Sequence, residues 1–236
     1  MEFVLFEKLK KLSGLSLYLF IGVLAAAVVL VAVLAMARRR PSHTAPANAR
    51  PAKRKFSTLI LAQGALCVSM SFVLSYIKLF SMPMGGSITL CSMMPLAFFS
   101  VAYGPAYGCA AAFVYSLLQL VQDPYVIHWA QLILDYFLAF TCYGLAGFCK
   151  RRLPLGVAVA GFSRMALSTV SGVVFFADSA AEAGYGNALV YSLFYNGSTI
   201  GADTVLCIAA ACLPAIRRLL EQFRLQSVKG LKTETP

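Results

Sequence analysis

Between Val126 and Tyr136 the chain reads Val-Ile-His-Trp-Ala-Gln-Leu-Ile-Leu-Asp-Tyr, which spaces His128, Gln131 and Asp135 at i, i+3 and i+7, one stripe of a helix. Trp129 and Tyr136 form an aromatic stripe about 100° around from it. In a later apolar segment Ser192, Asn196, Thr199 and Asp203 share a stripe, with Tyr191 and Tyr195 beside them. Another places Arg164, Ser168 and Ser171 on one face, with Gly172 and Phe176 close by, and a third aligns Tyr115, Gln119 and Gln122. A charged side chain at the centre of a bilayer costs about 2.5–3.5 kcal/mol on insertion scales, so ionisable residues in such segments point to a site. A carboxylate accepts N–H groups and balances positive charge, while an aromatic face attracts a cation by about 2 kcal/mol when dry. These residue types together suit an organic cation that carries hydrogen-bonding nitrogens.

Taken singly, each residue also has a structural reading. Tyr, Trp and Phe near span ends anchor helices at the membrane interface. Ser and Thr bond their own backbone or a neighbouring helix. A lone histidine in an apolar segment is more often structural than a ligand. Asp203 and Arg164 are expected to form a buried ion pair near mid-membrane, since either alone would be costly. Asp135 then has no second mid-membrane cation to satisfy it, and the site reading rests on convergence around it.

The elements that must position these residues follow from composition. The chain has 236 residues, is 60% hydrophobic and only 12% charged, with a mean hydropathy of +0.77. A soluble domain carries about twice that share of charge. Apolar runs at 16–37, 57–80, 88–103, 106–121, 126–148, 155–177 and 187–216 read as seven membrane spans. The net charge of +11 is concentrated beside spans, as in Arg38–Arg40, Lys53–Lys55, Lys150–Arg152 and Arg217–Arg218. Placing all of these in the cytoplasm satisfies the positive-inside rule and leaves Asp123, Asp178 and Glu182 outside. The N-terminus, with Lys8, Lys10 and Lys11, then lies outside as the exception. That topology puts His128, Trp129, Asp135, Tyr136, Tyr191, Tyr195 and Asn196 in the outer half of the membrane, level with Ser168, Gly172 and Phe176. The basic clusters thus report topology, not nucleic-acid binding.

Residues 1–37 could also be a cleavable signal peptide ending at Ala35-Met36-Ala37, but the apolar run exceeds a signal core of about 7–15 residues. The reading is therefore an N-terminal transmembrane helix (1–37) and a basic, Pro-containing cytoplasmic linker (38–56). A six-helix membrane domain (57–216) follows, and then a cytoplasmic amphipathic tail (217–236). Within that tail, residues 216–225 read as an extension lying along the inner surface, and the rest as a loose end. The seven cysteines form no C-x-x-C pair and read as reduced packing residues. No GxxxxGK[ST] phosphate loop is present, and two histidines, one of them in the linker (His43), assemble no metal or Ser–His–Asp cluster. The chain reads as a non-enzyme, and transport energy must come from an ion gradient or a partner.

Several strings carry a family resemblance. Met-Pro-Met-Gly-Gly-Ser-Ile-Thr-Leu (82–90), Tyr-Gly-Pro-Ala-Tyr-Gly (103–108), Leu-Asp-Tyr-Phe-Leu-Ala-Phe (134–140), Ser-Gly-Val-Val-Phe-Phe-Ala (171–177) and Tyr-Ser-Leu-Phe-Tyr-Asn-Gly-Ser (191–198) resemble the thiamine-specific S component (ThiT family) of energy-coupling-factor transporters. The likeness runs in order from about 56 to 216. It implies an all-α membrane protein: a six-helix S-component core bundle, here with one extra N-terminal transmembrane helix. It implies an outward-facing thiamine pocket in a multi-pass protein of a bacterial plasma membrane. The implied partners are a transmembrane coupling subunit and two ATP-binding subunits, with thiamine as transported ligand and no cofactor. Asp135 stands where the family sets an acid against the aminopyrimidine, followed by Tyr136. Tyr191 and Asn196 match the motif opening the last helix, Gly172 a glycine of the sixth span, and Phe176 a position where some members stack a tryptophan. Ser168 departs from a ligand-contacting histidine, and Asp135 is one methylene shorter than glutamate. Loop 81–87 resembles the family's cover over the pocket, and Ala65 and Ser69 match a face that docks the coupling subunit.

The expected ligand-binding set is thus Asp135, Tyr136, Tyr191, Asn196, Phe176 and Gly172, joined by Ser168, Trp129, His128 and Tyr115. An S component for another vitamin or a thiamine precursor, or a solitary ion-coupled transporter, stand as alternatives.

Overall fold

The computed structural model describes residues 58–233 apart from 83, 84, 123 and 151, with side chains as far as Phe223. The expected N-terminal helix (1–37) and basic linker (38–56) lie outside the described residues.

Six helices form the bundle. They are α1 (Thr58–Ser75), α2 (Met94–Tyr103), α3 (Pro105–Gln122), α4 (Trp129–Phe148), α5 (Leu153–Phe175) and α7 (Ala188–Cys212), with a short α6 (Ala177–Glu182) before the last and α8 (Pro214–Thr233) after it. α1, α4 and α5 are each long and apolar enough to cross a bilayer, and α7 passes together with the start of α8 across a 76° bend. This is the expected all-α membrane bundle.

Local chemistry sets the boundaries. Gly104, at φ 103°, lets the chain leave α2 and enter α3 at once, where Pro105 supplies the first helical position. The Asn187 side chain caps α7 by accepting Leu189 N–H at 2.9 Å. Core packing is close enough to require glycine: a Cβ on Gly144 would sit 2.4 Å from the Cys109 backbone nitrogen.

The structure corrects three expectations. The span read as 57–80 ends at Ser75, and Lys78–Ser81 forms β1, antiparallel to β2 (Ser87–Thr89). The short segment Ile77-Lys78-Leu79-Phe80 has no period that separates strand from helix, and Gly85 at φ 85° closes the hairpin. The span read as 88–103 accordingly shrinks to the ten residues of α2. The loose tail after 225 is helical as far as Thr233.

α8 turns by 76° from α7 and lies across the end of the bundle. Leu220 is buried and the Phe223 ring meets Phe98 edge-on at 5.1 Å, while Arg217 and Arg218 stay exposed. Arg152 and Arg217 border one groove at this end.

Two helices widen where they pass the site. α4 is π-helical over Ile133–Leu138, the turn that carries Asp135 and Tyr136, and α7 is π-helical over Gly197–Gly201, directly after Asn196. Such bulges re-aim side chains and recur at functional sites.

Candidate ligand-binding site

A cavity opens between the hairpin and the helices α3, α4, α5 and α7. Its volume of about 180 Å³ is roughly 12 to 18 times the 10–15 Å³ that admits one water, so it has room for an organic molecule. Lys78, Gly85, Gly86, Tyr125 and Tyr195 ring the mouth. The floor holds Met93, Tyr115, Phe140, Arg164 and Asp203, all of them buried except the half-buried Arg164.

Asp135 stands in the wall between. Its Oδ2 accepts the Ser171 hydroxyl at 2.8 Å and the Gln131 Nε2–H at 3.0 Å. Gln131 also donates to Tyr125 O at 3.1 Å and accepts Ile127 N–H at 3.2 Å. The carboxylate is thus tied to the 124–128 loop through one fully engaged amide. Tyr136 fixes the same loop, its hydroxyl accepting Tyr125 N–H at 2.8 Å. The Tyr125 ring stacks on Phe176, 6.1 Å between centroids and 20° from parallel. Tyr191 and Tyr195 add two more aromatic rings, 6.1 Å apart.

Asn196 donates to Ser192 O at 3.0 Å and lines the cavity opposite. Gly172 lets α5 and α7 approach there: a Cβ on it would lie 2.5 Å from Ser192 Oγ. At the mouth, Tyr195 Oη accepts Gly86 N–H at 2.9 Å, bringing the hairpin onto α7. Thr89 fixes the hairpin's other end, its N–H and hydroxyl reaching Asp203 Oδ1 at 3.2 and 2.8 Å.

Of the residues expected from sequence, Asp135, Tyr136, Tyr191, Asn196, Phe176, Gly172, Ser168 and Tyr115 come together around this cavity. His128 and Trp129 do not. α4 begins only at Trp129, so His128 sits before it with an extended backbone and has no helical face. Its Nδ1 accepts Ala130 N–H at 3.1 Å and its ring stacks on Phe175 at 5.3 Å. Trp129, in the first turn, is 61% exposed. The expected Asp203–Arg164 pair is also absent: Asp203 takes Thr89, and the Arg164 guanidinium lies 4.2 Å from the Phe140 ring centre. Ala65 and Ser69 are exposed on α1, away from the cavity.

Sequence reasoning passed over Tyr125, Gly86 and Arg164 as site residues. Tyr125 and Gly86 lie in loops, where no periodicity could flag them. Arg164 was visible on the Ser168 stripe but had been given to Asp203.

Comparison with known proteins adds four likenesses. The model of a family described as "Thiamine transporter protein (Thia_YuaJ)" matches residues 61–221. The curated thiamine transporter ThiT of Bacillus subtilis is 30% identical over 152 residues, covering 56% of this chain and 77% of that protein. NADH-quinone oxidoreductase subunit N of Paraburkholderia phymatum is 30% identical over 132 residues, but these are 26% of that protein. Among solved structures, one described as native-SAD phasing for ThiT from Listeria monocytogenes aligns with a TM-score of 0.55 at 22% identity, covering 70% of this chain and 94% of that one. The structural likeness shows the fold.

Proposed function

We propose, from the premise that this chain belongs to the thiamine transporter protein family, that it is the thiamine-binding S component of an energy-coupling-factor importer in a bacterial plasma membrane. In this reading the cavity captures thiamine from outside the cell. A transmembrane coupling subunit docks on the α1 face bearing Ala65 and Ser69, and two ATP-binding subunits supply the energy this chain has no phosphate loop to harvest.

One observation carries the reading: a carboxylate inside a membrane bundle, held by two donors yet bordering a cavity walled with Tyr125, Tyr136, Phe176 and Tyr191. Thiamine offers an aminopyrimidine with N–H donors and a thiazolium with a fixed positive charge. Asp135 accepts the first and balances the second, and the aromatic faces attract the cation. Burial strengthens both effects by excluding water.

Titration calorimetry on the purified protein, with riboflavin, biotin, folate and the hydroxymethylpyrimidine fragment as competitors, tests the ligand. Saturable thiamine binding that none of them displaces at equal concentration is the expected result; tighter binding of any competitor overturns it. Reconstituted vesicles test the coupling, because ATP-independent uptake by this chain alone would overturn the importer reading.

A further inference from the structure

Among the described residues, five buried side-chain polar atoms have no hydrogen-bond partner: Ser71 Oγ, Tyr115 Oη, Tyr143 Oη, Arg164 Nε and Ser192 Oγ. Buried polar groups are nearly always paired, so each exception needs a reason. Three of the five, Tyr115, Arg164 and Ser192, line the cavity, and they come from three different helices. All three are donors.

Polar side chains near them bond one another and do not reach these three atoms in hydrogen-bond geometry. Ser92, close to Tyr115, bonds Thr89 at 2.7 Å, and Ser75, also close, bonds Gln122 at 2.8 Å. Asp203, the nearest floor carboxylate, takes both of its recorded bonds from Thr89. Gly172 leaves the space that Ser192 Oγ occupies, and that hydroxyl still finds no partner on α5. Arg164 lies seven residues before Ser171 on α5, about 10 Å deeper along the axis. Ser192, packed on Gly172, therefore sits level with Asp135, and Arg164 and Tyr115 sit beneath.

We propose that Ser192, opposite Asp135, and Tyr115 and Arg164, beneath it, form a donor set that recognises the uncharged acceptor atoms of the ligand. The inference rests on the thiamine reading above and extends it. An aminopyrimidine presents one amino donor and two ring-nitrogen acceptors. Asp135 can serve only the donor, and the acceptors need N–H or O–H groups, which these three residues hold in reserve. A phosphate is the poorer occupant, because Asp135 and Asp203 both border the same space and would repel it. Arg164 is thus a specificity-determining residue, selecting a neutral acceptor, and Gly172 serves by making room for Ser192.

The test pairs protein variants with a ligand variant: thiamine against an analogue whose pyrimidine nitrogens are replaced by C–H. The wild-type protein should bind the analogue about tenfold or more weakly. Tyr115→Phe and Ser192→Ala each delete a hydroxyl without changing the packing, and each should weaken thiamine about tenfold while leaving the analogue's affinity within about twofold. Arg164→Met should do the same, and Arg164→Lys should recover part of the loss. Should the variants weaken both ligands equally, or neither, the donor set is overturned while thiamine capture stands. Absence of thiamine binding by the wild-type protein overturns both readings together.

Discussion

Ser171 on α5 donates its hydroxyl to Asp135 on α4 at 2.8 Å, so the carboxylate that borders the cavity is fixed from a second helix. Gln131 on α4 itself holds the same oxygen at 3.0 Å. A preorganised carboxylate loses little freedom when a cation arrives, which favours tight binding.

Asp135→Asn keeps the shape and removes the charge. Thiamine affinity should fall about 100-fold, the loss of a charge-assisted bond and a buried ion contact, or about 2–3 kcal/mol. Ser171→Ala removes one donor and should cost about tenfold or less. Calorimetry on both variants checks the order; equal losses would mean that Ser171 matters as much as the carboxylate, against this account.

Phe176 and Tyr125 make one aromatic wall. Phe176→Leu retains apolar bulk but loses the quadrupole, and should weaken thiamine about tenfold, near the 1–2 kcal/mol of a desolvated cation–π contact. A neutral pyrimidine fragment should lose much less. The comparison of the two ligands separates attraction for the cation from packing.

The hairpin meets α7 through Gly86 and Tyr195. A Cβ on residue 86 would lie 2.4 Å from Tyr195 Oη and 2.8 Å from its Cζ. Gly86→Ala should therefore displace the Tyr195 ring and loosen the hairpin. Hydrogen exchange at the amides of 78–82 and 86–89 should quicken in this variant, and also in Tyr195→Phe, which loses the acceptor. Unaltered exchange in both would show that this contact does not hold the hairpin.

Asp203 is buried, and its two bonds from Thr89 hold the start of the 90–93 turn. Asp203→Leu leaves a buried Thr89 N–H unpaired and should destabilise the fold by about 2–4 kcal/mol, whereas Asp203→Asn retains an acceptor and should cost about half as much. Thermal unfolding in detergent reads the difference.

Some of this protein was legible in the residues alone. The i, i+3, i+7 spacing of His128, Gln131 and Asp135 put an acid and an amide on one helical face, and Gln131 does bond Asp135. The same extrapolation misled at His128, because a stripe holds only where the helix exists, and α4 starts one residue later. Pairing Arg164 with Asp203 failed for a related reason. Charge balance along the sequence cannot see that Thr89, 114 residues away, already occupies the aspartate.

The sequence by itself determined that this chain lives in a membrane, that its apolar segments are helical for the most part, and that Asp135 shares a helical face with Gln131. Those features depend on hydropathy and helical period, which are local. Tertiary structure alone decided that 78–89 folds into a hairpin over the cavity, that Tyr125 faces Phe176, and that Tyr115, Arg164 and Ser192 keep unpaired donors there. Each is a contact between distant segments. Whether a polar group is satisfied depends on every neighbour that folding brings to it, which no spacing within one segment records.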